Sequence, residues 1–128
     1  MMKLPGRILL AFSAILLAIG AWIHTSAFNK MSAAVAKSDL IPFAAKSLRI
    51  LWLEDSVVLL VLAIVFAVIA AWPSVATKWV IVLVALIPAA TAVLVYHFAG
   101  SFIAGHILLA AATLAILGGF QYPAVNQS

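Results

Sequence analysis

The chain holds three histidines and three acidic residues, and five of these six can be brought to one side of the molecule. They are His24, Glu54, Asp55, His97 and His106; the sixth, Asp39, lies in a connecting segment. Imidazoles and carboxylates together can ligate zinc, iron or copper. They can relay protons, because an imidazole changes charge near neutral pH. They can also hold the polar head of a lipid-soluble molecule such as a quinone, with Trp52 and Tyr96 as walls. Cysteine is absent, which removes disulfides, thiolate metal sites, iron–sulfur clusters and cysteine nucleophiles. The sequence has no phosphate-binding glycine loop and no nucleophile elbow.

These residues stand in an unusually apolar chain. Hydrophobic residues make up 68% and charged residues 8% of 128 positions, against roughly 45–50% and about 25% in soluble domains. A domain of this size buries only about 60–70% of what its unfolded chain exposes, so lipid must solvate the rest. Four apolar runs follow one another: Ile8 to Ile23 behind Lys3 and Arg7, Ile50 to Trp72 ahead of Pro73, Trp79 to Ala99, and Phe102 to Phe120. About 17–25 residues suit a hydrocarbon core of about 30 Å. The expected fold is therefore all-α. It is an antiparallel bundle of four transmembrane helices in a single domain, with spans near 4–24, 46–72, 77–99 and 102–120 and both termini on one face. The first run also has the outline of a signal peptide, with small residues at Ala18 and Gly20. Recurrence of its small residues at helical spacing favours a retained span.

The connections differ in length. The segment of about 25–45 is expected to lie at the membrane interface, with Pro42 suited to a first helical turn and Lys46 and Arg49 snorkelling. The links at 73–77 and 100–101 are tight and predict antiparallel neighbours on either side. Pro88 is expected to kink the third span. Small residues mark the expected helix contacts: Ala11, Ala14, Ala18 and Ala21; Ser56, Ala63, Ala67 and Ala70; Ala85, Ala89 and Ala92; Ala104, Ala111, Ala115 and Gly118. The hydroxyls of Ser13, Thr91 and Thr113 are expected to bond back to their own helices. The polar tail Asn126 to Ser128 has nothing apolar to dock it.

Threading the four spans up and down brings His24, Glu54, Asp55, His97 and His106 into one leaflet. At 1.5 Å per residue, Glu54, Asp55 and His106 fall roughly 7–11 Å from the midplane, and His24 and His97 roughly 12–13 Å. Ionisable groups at such depth are costly. Neither acid has a cation three or four residues away, so each needs a partner from another helix. Asp55 lies nearer the small-residue stripe, beside Trp52 and Ser56, and is the expected inward acid. The candidate site is thus Asp55, Glu54, His106, His97, His24, Trp52 and Tyr96, with His97, His106, His24 and Asp55 as the candidate metal set. No cofactor is required by the sequence, though a metal or haem would suit it.

The net charge of +4 comes from residues at helix ends. Lys3, Arg7 and Lys78 fall on one face, and Lys30, Lys37, Lys46 and Arg49 on the other. That is headgroup contact rather than nucleic-acid binding, and a margin of three to four gives no orientation. The expected function is a small multi-pass membrane protein, non-enzymatic or a subunit of a membrane assembly, with the one-leaflet cluster as its site. The alternatives are a metal- or haem-dependent membrane oxidoreductase and a proton-coupled carrier working as a dimer. The expected partners are the lipid bilayer, a second copy or other membrane subunits, and a small apolar ligand. The expected location is the bacterial cytoplasmic membrane.

Overall fold

A computed structural model of the chain describes residues 2–122; positions 126–128, whose docking is in question above, lie outside them. Among the described residues every regular element is helical. In chain order these are α1 (Leu4–Ser26), α2 (Phe28–Ala36), α3 (Pro42–Ala71), α4 (Lys78–Ala99) and α5 (Ile103–Phe120), with one 3-10 turn at Pro73–Val75. Four stretches are long and apolar enough to cross a membrane: Leu4–Ala36, Pro42–Ala71, Lys78–Ala99 and Ile103–Phe120. They support an integral, multi-pass helical membrane protein.

Local chemistry sets the helix ends. Pro5 and Pro42 stand in the first turns of α1 and α3, where a missing N–H costs nothing. The Thr77 hydroxyl accepts the N–H of Val80 at 3.4 Å and caps α4. Gly100 ends α4 at φ 69°, a left-handed conformation that glycine adopts without strain. α4 runs on through Pro88, whose ring is buried.

The segment expected at the interface is helical for much of its length. α2 fills Phe28–Ala36, and α3 starts at Pro42, the residue suited to its first turn, ahead of the span expected from 46. The break before α2 is slight. Ala27 keeps a right-handed helical conformation, its N–H reaches the Ile23 carbonyl, and its own carbonyl accepts from Met31. α1 and α2 therefore run as one rod. Arg7 meets Ala70 and Ala71, His24 meets Ser56, and Arg49 meets Ser32, so partners retreat along α3 as α1 and α2 advance. At 1.5 Å per residue this rod is roughly 50 Å long, whereas α5 is roughly 27 Å. A long pair, α1–α2 with α3, thus projects beyond a short pair, α4 with α5.

The spatial order is not the order in sequence. α1 packs against both α3 and α5, α4 packs against α5, and α3 touches α4 only slightly. The expectation that the tight 73–77 link makes packed neighbours of the second and third spans is therefore corrected. The link ties two helix ends, but the inward side of α3 is taken by α1. α1 and α5 approach closely at two glycines. A Cβ on Gly6 would stand 2.9 Å from the Gly118 carbonyl oxygen, and one on Gly118 would stand 3.0 Å from the Gly6 carbonyl oxygen. Only glycine lets the two backbones meet this closely.

Two sequence expectations about packing fail. Ser13 is fully buried and donates to the Ala111 carbonyl of α5 at 2.8 Å, not to its own helix. Leu10, Ala14 and Leu17 are buried on the same side of α1. Thr91 and Thr113 do bond back, to Ile87 and Leu109. Ala18 and Ala67 belong to small-residue stripes but are exposed, because both line an open groove beside the α1–α3 contact that buries Ala14 and Ala63.

Candidate functional site

Trp52, Asp55, Ser56 and Leu59 recur at three- and four-residue spacing and share one face of α3. The last turn of α1 brings His24 onto that face. The imidazole stacks on the Trp52 indole, with ring centroids 4.1 Å apart and planes 13° apart. The indole N–H donates to the His24 carbonyl at 2.8 Å, so this stack is fixed at two points. Nδ1 of His24 lies 2.9 Å from the Ser56 hydroxyl, and Nε2 lies 3.5 Å from Oδ2 of Asp55. The Ser56 hydroxyl also reaches the Trp52 carbonyl at 3.3 Å. Nδ1 and the Ser56 hydroxyl are thus joined whichever of them donates, and Nε2 faces the Asp55 carboxylate.

This group closes one end of a cavity of about 280 Å³ between α1, α3, α4 and α5. Its polar contributors are His24, Trp52, Asp55 and Thr91; the rest of its wall includes Leu17, Leu59, Val95, Ile107 and Leu108. The hydroxyl of Thr91 is engaged with its own helix, so the polar character is confined to the His24–Asp55 end. The cavity occupies the gap that α3 and α4 leave between them. Asp55 shares it with Phe102 and Ile103 at the start of α5. The pair therefore sits level with the start of α5.

The other candidates are placed elsewhere. Glu54 is exposed, on the far side of α3 from His24. His97 is exposed and packs only against the Phe98 ring, at 4.6 Å. His106 has Nδ1 2.7 Å from the Tyr96 hydroxyl and Nε2 3.3 Å from the Ser101 hydroxyl, on the outer surface of the α4–α5 pair. Tyr96 therefore serves His106 and does not face Trp52 across a ligand. Gly105 explains why: a Cβ there would stand 3.1 Å from the Tyr96 ring, so the ring fills the glycine notch. The candidate metal set does not assemble. Among the described residues no three His, Cys, Asp or Glu side chains converge on a point that could hold a metal ion.

Two residues outside the sequence-derived site matter to its construction. Ser56 holds the imidazole in place, and its position one turn after Trp52 was the available signal. Arg7, taken as a topology marker, donates from Nε to the Ala70 carbonyl at 2.8 Å and from Nη2 to the Ala71 carbonyl at 3.2 Å. It satisfies the carbonyl end of α3 and clamps the opposite end of the same helix pair. Compared with protein-family models, curated proteins and solved structures, the chain matches none.

Proposed function

We propose that the chain forms an antiparallel four-helix membrane bundle with both termini on one face, and that it binds a small lipophilic molecule with a hydroxyl-bearing head. The reading makes it a non-enzymatic binding protein of the bilayer. One observation carries it: the His24–Asp55 pair lines one end of an otherwise apolar cavity. An apolar pocket with a few convergent polar groups is the general form of a small-molecule site. Asp55 turns Oδ2 to His24 and keeps a half-exposed side chain, so its other oxygen is available to accept from a ligand hydroxyl. The imidazole, locked by Trp52 and Ser56, holds the carboxylate ready without reorganisation. Entry from the lipid is favoured by the slight contact between α3 and α4.

The test uses 4-hexylphenol and its methyl ether, titrated calorimetrically into protein-loaded and empty detergent micelles. The phenol is expected to bind wild type beyond simple partitioning, and the ether to bind at least about ten-fold more weakly, as expected when one charge-assisted hydrogen bond of about 1.5 kcal/mol is lost. Asp55→Asn should erase the difference, and Leu59→Trp should fill the cavity and abolish both. Equal uptake of phenol and ether by wild type would overturn the reading.

A further inference from the structure

A second depression lies outside the bundle, on the lipid-facing side of the α1–α3 contact, and is independent of the cavity. It is an open groove of about 710 Å³. Its floor is alanine, including Ala11, Ala63 and Ala67, and exposed Ile8, Ile15 and Ile64 form its rims. From Ala18 to Arg7 it runs roughly 16 Å along the helix, close to the depth of one leaflet of a bilayer whose core is about 30 Å. Its mouth is Arg7.

Arg7 is held in an unusual way. Nε and Nη2 are fixed on the last carbonyls of α3, which sets the plane of the guanidinium. Nη1 has no protein hydrogen bond among the described residues. Among the described residues the charge has no counter-ion either: the acidic side chains of the chain are Asp39, Glu54 and Asp55, all toward the other end of α3. Lys78 lies over the Phe120 ring at 4.1 Å and adds a further cation at this end. Exposed Trp72 and Trp79 mark the same level as the membrane interface. A pre-oriented guanidinium with a free edge suits a phosphate, and basic pockets between membrane helices recognise anionic lipid headgroups. A second copy of the chain in the same orientation would bring its own cations to this mouth, which disfavours it as the occupant.

We propose that the α1–α3 groove binds one anionic phospholipid, with its phosphate on the free edge of Arg7 and one acyl chain on the alanine floor. The test compares dioleoyl phosphatidylglycerol, dioleoyl phosphatidylcholine and glycerol 3-phosphate, added to protein in dodecyl maltoside and read by native mass spectrometry and melting temperature. Phosphatidylglycerol should bind about five-fold more tightly than phosphatidylcholine, the scale of one basic side chain at an anionic headgroup. Glycerol 3-phosphate alone should leave no adduct. Arg7→Gln should remove the headgroup preference. Because Arg7 also caps α3, Ala67→Phe provides the second arm: it blocks the exposed groove and should abolish lipid retention with the lipid-free melting temperature unchanged. Equal retention of both lipids would overturn the proposal, as would full retention by Ala67→Phe. Binding of glycerol 3-phosphate as tight as the lipid would do the same. So would a wild-type dimer that Ala67→Phe splits, since a second copy would then be the occupant.

Discussion

Where α1 begins, backbone meets backbone: Gly6 and Gly118 bring their carbonyls against each other's α-carbons, Arg7 caps α3, and the Tyr122 hydroxyl donates to the Pro73 carbonyl. At the other end of α1 the same helix carries Gly20, with its nearest neighbours at 3.7 and 3.9 Å, beside a cavity and a polar pair. Glycine is present at both ends, with different consequences. In lipid no solvent drives helices together, so association depends on close contact and on hydrogen bonds. The first end uses both and is solid. The second leaves space, and its polar groups are organised around that space. The contrast teaches that a small residue in a membrane helix marks a meeting of backbones only when the facing helix also presents one.

One substitution made at both ends gives the sharpest test. Gly6→Ala places a methyl group 2.7 Å from Cβ of Gln121 and 2.9 Å from a backbone oxygen. It should destabilise the bundle by about 1–3 kcal/mol, the range for overpacking, read by unfolding in mixed dodecyl sulfate–maltoside micelles. An unchanged transition would mean that the two backbones are not in contact. Next comes Ser13→Ala, which removes the buried bond to Ala111 and should cost about 0.6–1.5 kcal/mol in the same assay; no loss would show the α1–α5 contact to rest on packing alone. Gly20→Ala should have the opposite sign, stabilising by about 0.5–1 kcal/mol through helix propensity. A loss there would show the cavity end to be as tight as the first.

The smallest effect is at Tyr122. Burial raises its pKa above the ordinary tyrosine value, because the neutral phenol is favoured where desolvation penalises the phenolate. Stability is therefore intact below the unfolded pKa and falls as pH rises through the folded one. Melting temperature followed from about pH 8 to pH 11 should show a shallow decline near the top of that range, which Tyr122→Phe removes. A decline of the same size in Tyr122→Phe would assign it to other groups.

The four spanning helices are legible because a stretch of about 20 apolar residues has few other uses. Pro5, Pro42, Thr77 and Gly100 carry their turn and cap chemistry in their types. The spatial order is not legible. In a soluble bundle the polar face marks the outside, whereas here lipid-facing and core-facing residues are equally apolar, so Ala18 and Ala67 read the same as Ala14 and Ala63. For the same reason Ser13 gives no sign of bonding to another helix until its neighbours are known. At the site, threading up and down places His24, Asp55 and His106 at one end but says nothing of rotation. The structure brings His24 to Asp55 and turns His106 outward to Tyr96. Helix rotation is set by partners distant in sequence, such as Gly105 receiving the Tyr96 ring.

The central position of α1 and α5 has a consequence in time. α1 is made first and α5 last of the helices, yet they bring two backbones together at Gly6 and Gly118, with Ser13 and Ala111 98 residues apart. Contacts of such separation form late, since the whole intervening chain must be ordered before they are made. During synthesis α1 and α3 can pair, but the edge of α1 that carries Gly6 and Ser13 stays open to lipid until the final helix enters the membrane. A nascent chain stalled before Ile103 would expose that glycine–serine edge, and only completion of the chain closes it.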